Sequence, residues 1–299
     1  MISWLFFALL APAVVSIVIF IDKYLLEKEV KDYRGMPIYG AIMSFIFGTL
    51  FWIAYGFPTL TLKDTLLVML TGMLSTFGSA AYFKVIASEE ASKVIILLQT
   101  IPLFVLILSA LFLKEIITLP QLLGFSLILI GAVGVTAKKN DFTLHLSSAF
   151  LFMLLANFFW ASSNVLFKFV IDANSFIKVV SYESWGIAVG GVLLYGLFPS
   201  IRNSFGQTNK SISKKALAIL FLNEGFYVLS RLLTFLALSM GSVALVSVLG
   251  STTVFFGIIY GWFLMMIAPK IFKENITKKE VIKKILLASI VFCGIVLIS

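Results

Sequence analysis

Two stretches decide the reading of this chain: ASEEASKVIILLQTIPLFVLILSALFLKEIIT (residues 87–118) and ALSMGSVALVSVLGSTTVFFGIIYGWFLMMIAPKIFKENIT (residues 237–277). Each starts at the end of one apolar run and crosses a polar break. The break is Thr100-Ile101-Pro102 in the first stretch and Gly250-Ser251-Thr252-Thr253 in the second. Each then closes on Glu-Ile-Ile-Thr or Glu-Asn-Ile-Thr, at Glu115 and Glu274. The copies align at an offset of 150 residues across this region, and the second carries an insertion around Met265–Lys273. Earlier landmarks recur in the same order: Tyr55-Gly56 before Pro58 and Tyr195-Gly196 before Pro199, then Lys23 and Lys168. The chain is an internal duplication.

Its solvent is lipid. Hydrophobic residues make up 61% of the sequence and charged residues 12%, with a mean hydropathy of +1.08, beyond what a water-soluble core needs. Runs without charge are long enough to cross ~30 Å of hydrocarbon, which takes ~20 helical residues. They are continuous and not alternating, which argues against a β-barrel. The expectation is an all-α membrane protein with ten transmembrane helices at about 2–22, 37–57, 65–86, 92–113, 119–137, 146–169, 179–198, 215–237, 241–264 and 281–298. Five spans per copy is an odd number, so the copies must insert with opposite topology. The expected domains are two inverted five-helix repeats, residues 1–139 and 140–299, joined at Lys138-Lys139-Asn140-Asp141. Inverted repeats and matched helix breaks are the construction from which many secondary transporters build a midplane site.

Charge gives orientation. Most of the 23 Lys and Arg fall in loops after odd-numbered spans, leaving only Lys63, Lys114, Lys168, Lys178 and Arg231 on the other side. The basic side is expected to be cytoplasmic, with both termini extracytoplasmic and the protein multi-pass in the plasma membrane. The net charge of +9 is thereby accounted for without nucleic acid. The first span lacks a basic leader and a small-residue cleavage site, so it reads as a retained helix. Cys293 is the one cysteine and His145 the one histidine, which leaves no disulfide and no expected metal site or cofactor.

With these residues in view, the sequence resembles EamA-type members of the drug/metabolite transporter superfamily. The resemblance rests on Ala91-Ser92, Pro102, Leu113-Lys114-Glu115-Ile-Ile-Thr118, Gly124 and Gly131, and on Phe159-Trp160-Ala161-Ser162-Ser163-Asn164 with Lys168. It implies ten helices in inverted repeats around a cavity lined by spans 1, 3, 4, 6, 8 and 9. It also implies transport of a small organic solute, often outward. The chain departs from the pattern where a second-copy proline is expected near Thr252 and at the insertion before Glu274. Family members with cytoplasmic termini point to the opposite orientation from the charge count.

Polar residues inside apolar spans are expensive, and each asks for a reason. Glu224, Tyr227 and Arg231 share one face of the eighth span, with ~10 Å of rise between the charges. They suit an anchor for a zwitterionic or polar solute, and Glu224 is the candidate for proton coupling. Asn157, Trp160 and Asn164 form a stripe on the sixth span, running on to Lys168, which either snorkels or ends the stripe. Ser75, Ser79 and Tyr82 mark the third span, with Ser79 and Tyr82 taken as site residues. Gln99 and Ser251 lie at the two breaks. The candidate substrate-binding set is therefore Asn157, Trp160, Asn164, Glu224, Tyr227, Arg231, Tyr82, Ser79, Gln99 and Ser251. Asp22-Lys23 reads as a charge pair at the headgroups, Glu183 as interfacial, and Glu115 and Glu274 as caps or loop locks.

The functional expectation is a secondary transporter exporting a small polar or amphipathic metabolite by alternating access, with coupling to protons through Glu224. The alternative is a channel or a scaffold that transports nothing. No phosphate-binding Gly-x-x-x-x-Gly-Lys sequence is present. The spans hold no aspartate pair or histidine for intramembrane proteolysis, so the protein is not expected to be an enzyme. Its partners are the solute and membrane lipid, as a monomer or homodimer.

Overall fold

In hydrocarbon a chain can satisfy its amides only within helices or a closed β-barrel. The computed structural model, which describes residues 4–113, 118–136, 148–241, 243–267 and 278–298, has helices and no strand among those residues. In chain order they are α1 (Trp4–Lys28), α2 (Met36–Ala54), α3 (Leu62–Ser88), α4 (Ala91–Leu98), α5 (Ile101–Leu113), α6 (Leu119–Thr136) and α7 (Ser148–Ile171). Then come α8 (Phe176–Leu197), α9 (Pro199–Ser211), α10 (Lys214–Met240), α11 (Val243–Gly250), α12 (Thr253–Ile267) and α13 (Lys278–Ile298). Seven runs are long and apolar enough to cross a membrane: α1, α2 with the 3-10 turn before it, α3, α4 with α5, α7, α8 and α10. Shorter apolar helices lie at Thr253–Ile267 and Ile285–Gly294. Large side chains such as Phe6, Leu50, Leu66, Val192 and Trp262 point outward, an apolar exterior that suits lipid and would be an aggregation surface in water.

Helix packing recurs in exchanged pairs. α1 packs along α10 and α7 along α3; α4 meets α12 and α5 meets α11; α6 lies on α13 and α2 on α8. Lipid tails are as apolar as leucine, so close packing must come from small residues. At the α3–α8 crossing a Cβ on Gly72 would strike the Glu183 carbonyl and the Ile187 amide, and one on Gly186 would strike the Met69 backbone. The two backbones touch there, and only glycine fits. One contact departs from the exchange: α3 lies along α8 over a long stretch, whereas α2 and α10 touch sparingly.

The two helix breaks fall where the sequence predicts them but are made by different chemistry. Pro102 is the second residue of α5, in the first turn, where a missing N–H costs nothing. The carbonyls before it are occupied by Gln99 Nε2 donating to Ile95 O (2.8 Å) and Thr100 Oγ1 donating to Leu97 O (3.2 Å). Between α11 and α12 hydroxyls do this work without proline. Thr252 Oγ1 donates to Leu249 O at 2.7 Å, and Thr253 Oγ1 donates to Gly250 O. Side chains that bond to their own helix carbonyls compete with continuation of the helix.

Lys23 and Lys168 play matching parts. Lys23 Nζ donates to Ile86 O at the carbonyl end of α3 (3.1 Å) and pairs with Glu27 (3.4 Å). Lys168 Nζ donates to Leu238 O at the carbonyl end of α10 (3.0 Å) and pairs with Asp172 (2.7 Å). A cation at the negative end of the helix dipole is favourable. This gives Lys168 a fixed partner in place of mere snorkelling.

Two expectations need correction, and one unassigned segment gains a structure. The stretch between the expected spans 179–198 and 215–237 holds the helix α9. Its Ser204 hydroxyl accepts from Gly35 N and donates to Asp32 O, and Tyr39 OH donates to Asn209 Oδ1 (2.6 Å). Asp22 is not at the headgroups, because α1 continues to Lys28 and leaves Asp22 buried. Glu183 is not interfacial, because α8 packs it against Arg231. Glu115, Glu274, His145 and the link at 138–141 lie outside the described residues.

Candidate functional site

A cavity of about 230 Å³ lies where α1, α2, α3, α7 and α10 surround the two helix breaks. Every expected site residue except Asn157 lines it. α7 contributes Trp160 and Asn164, α3 contributes Ser79 and Tyr82, and α10 contributes Glu224, Tyr227 and Arg231. Gln99 and Ser251 face it from the breaks. The 3.6-residue period explains the convergence, since residues three, four and seven apart share one helix face. α2 also reaches the cavity, through Pro37, Gly40 and Ala41.

Asn157 has another task. It is fully buried outside the lining, and its Nδ2 donates to Leu97 O (2.8 Å) and Thr100 Oγ1 (2.6 Å). It therefore ties α7 to the break between α4 and α5, the use of amides as glue between membrane helices.

One end of the cavity is acidic. Asp22, 3% exposed, accepts from Tyr82 OH (2.9 Å) and from Asn223 Nδ2 (2.7 Å). A carboxylate can only accept, so these bonds fix the Asn223 amide with its Oδ1 turned away. That Oδ1 is buried without a hydrogen-bond partner among the described residues. Glu224 follows on the same helix, 6% exposed, with no ion pair or hydrogen bond among the described residues. Gly40 makes space for it: a Cβ there would sit 3.0 Å from Glu224 Oε2.

The other end is a closed ion pair. Arg231 Nη2 donates to Glu183 Oε1, and Nη1 to the Ser75 hydroxyl and to Tyr227 OH (3.3 Å). The guanidinium lies 4.9 Å from the Phe235 ring centroid. This arrangement spans α3, α8 and α10. Between the two ends stand aromatic walls, with Tyr82 and Trp160 5.6 Å apart and Trp160 Nε1 donating to Ser75 O (3.3 Å).

Sequence reasoning missed Asp22 and Asn223 as site residues and Glu183 as the partner of Arg231, and it marked Ser75 without including it in the site. For Asp22 a signal existed. Val15, Ile19 and Asp22 follow at i, i+4 and i+7 and all line the cavity, and the apolar run resumes at Tyr24-Leu25-Leu26. The adjacent Lys23 disguised it as half of a surface pair.

Comparison with known proteins agrees with this architecture. Residues 2–137 match the EamA-like transporter family. A protein of Methanothermobacter thermautotrophicus described as an uncharacterized transporter is 31% identical over 137 residues, a match covering 44% of this chain and 39% of the relative. The aligned part is thus well under half the relative's length. A protein solved by crystallography shares the fold with a TM-score of 0.60 at 14% identity, over 98% of this chain and 94% of that one.

Proposed function

We propose, from the premise that residues 2–137 match the EamA-like transporter family, that this chain carries a small polar or amphipathic solute through the central cavity by alternating access. That match, with the apolar helices, supports a multi-pass membrane transporter and not an enzyme. The solute, the direction and the coupling are the proposal. The observation that carries it is the cavity itself. Polar side chains from α3, α7 and α10, none of which lipid would tolerate on an outer face, meet at one site beside both helix breaks. The volume lies below the ~300–1,000 Å³ usual for drug-sized ligands, which suits a metabolite.

The architecture proposed is ten crossings in two inverted repeats, residues 1–139 and 140–299. α4 with α5 forms one broken crossing and α11 with α12 its twin. The exchanged packing pairs and the matched lysine contacts support it. The proposal places the protein in the cell membrane with both termini outside, on the asymmetry of Lys and Arg. A reporter fused after Ser299 is then expected to behave as extracytoplasmic; robust activity in the cytoplasm would reverse the orientation.

Export is the direction suggested by the resemblance, and Glu224 is the proposed coupling carboxylate. It has no cation beside it among the described residues, so a proton or a cationic solute can neutralise it in turn. The test is uptake of labelled amino acids, sugars and amines by proteoliposomes, with and without an imposed proton gradient. Glu224→Gln is expected to lower gradient-driven transport by about tenfold or more, in line with loss of one buried charged contact, while the protein still inserts and folds. Unchanged rates at every pH tested would remove Glu224 from the coupling step.

A further inference from the structure

The charges around the cavity do not balance. Two carboxylates, Asp22 and Glu224, line it with one cation, Arg231, and that cation is already paired with a third carboxylate behind it, Glu183. We infer that the transported solute is a small organic cation whose ammonium group seats between Glu224 and Asn223, an inference that rests on the transporter reading above and specifies its substrate class.

Four observations lead there. First, a buried charge is normally paired or hydrogen-bonded. Asp22 meets that rule through Tyr82 and Asn223, but Glu224 has no such partner among the described residues although it is only 6% exposed. Second, the neighbouring polar atom that also lacks a partner is Asn223 Oδ1, on a side chain 1% exposed. Both unmet groups are acceptors, so the missing partner is a donor. An ammonium offers up to three N–H donors and a charge, and accepts nothing.

Third, the walls beside this end are aromatic. Tyr82, Trp160 and Tyr227 all line the cavity, and a cation near such ring faces is attracted by their quadrupoles. A hard metal ion would instead require about six or more oxygens, and no group of three or more His, Cys, Asp or Glu is gathered among the described residues. Fourth, the field of the site opposes an anion. Arg231 spends Nη2 on Glu183 and Nη1 on Ser75 and Tyr227, with its buried Nε alone left without a partner, and any carboxylate or phosphate entering would meet Asp22 and Glu224. The part of the earlier expectation that made Arg231 an anchor for a zwitterion is thereby displaced toward Glu224 and the amine end.

The experiment uses three probes on one ring: tyramine (cation), 4-ethylphenol (neutral) and 3-(4-hydroxyphenyl)propionate (anion). Each is added to the purified full chain in detergent, and binding is read from the shift in unfolding temperature, since a ligand that binds the folded state stabilises it by mass action. Tyramine is expected to bind at least about tenfold more tightly than either analogue, a margin of about 1.4 kcal/mol. Glu224→Gln is expected to erase that preference without lowering the unfolding temperature of the unliganded protein. A marked loss of ligand-free stability in Glu224→Gln would make the carboxylate structural and overturn the inference. Binding of the neutral or anionic probe as tight as tyramine, or no binding of tyramine, would overturn it as well. The transporter reading is tested apart from this by proteoliposome flux of the same three probes in the unaltered chain and in Ser79→Trp, which fills the cavity. Flux of 4-ethylphenol or the anion that Ser79→Trp blocks would leave the transporter standing and sink only the cation. Flux unaffected by Ser79→Trp would sink both.

Discussion

Arg231→Met will destabilise the folded protein by about 3–5 kcal/mol, the usual cost of leaving one member of a buried ion pair alone. Glu183 is 2% exposed and Arg231 supplies its ion pair. Without the guanidinium the carboxylate is stranded where α3, α8 and α10 meet. The double variant Arg231→Met/Glu183→Gln removes the stranded charge and is expected to recover most of the loss, because replacing both members of a buried pair is often nearly neutral. The measurement is unfolding of the purified protein by heat or SDS, completed as a double-mutant cycle with Glu183→Gln. If Arg231→Met unfolds together with the unaltered protein, the pair contributes nothing to the fold.

The second large effect concerns backbone contact. Gly186→Leu will cost about 3 kcal/mol or more, at the upper end of overpacking penalties, and Gly186→Ala about 1–3 kcal/mol. A Cβ at this position meets the Met69 backbone, which cannot rotate away as a side chain can. Gly196→Ala in the same helix is the control: nothing lies within 4 Å of a Cβ there, so no loss is expected. Unfolding temperatures of the three variants decide the matter. Equal behaviour of Gly186→Ala and Gly196→Ala would mean that α3 and α8 do not touch as described.

The parts of this molecule that show in the sequence are those with a period or a repeat. Apolar run length marks the helices, and residues at i, i+3, i+4 and i+7 mark the cavity faces. That is why Trp160 with Asn164, and Glu224 with Tyr227 and Arg231, read as neighbours on one helix face from spacing alone. What could not be read is which helix stands opposite which. Asn157 belongs to the same stripe as Trp160, yet it is taken by the carbonyl of Leu97. The partner of Arg231 is not Glu224 on its own helix but Glu183 from α8. Spacing correctly excludes the first pairing and is silent on the second. Likewise Asp22 carries a meaning that depends on Tyr82 and Asn223, 60 and 201 positions away in the chain. α9 went unseen because its sequence is mostly polar, with only Ile201 and Phe205 as apolar anchors, and its other ties include hydrogen bonds to the turn before α2.

The paired lysines have a bearing on ancestry. Lys23 in α1 latches α3, and Lys168 in α7 latches α10, so each latch is internal to one half of the chain. Neither needs the other half in order to form. On the proposed repeat, the latch is what a single unduplicated forebear would already have possessed, whichever way it entered the bilayer. The residue beside it tells the later story. The first half has Asp22 before its lysine, hydrogen-bonded to Asn223 of the other half. The second half has Phe167 there, stacked on Phe235 at 3.6 Å between centroids. On that proposal, two copies joined in one chain could drift apart at such positions, one lysine with an acidic neighbour and the other with an aromatic one. A pair of identical subunits could never have made that division of labour.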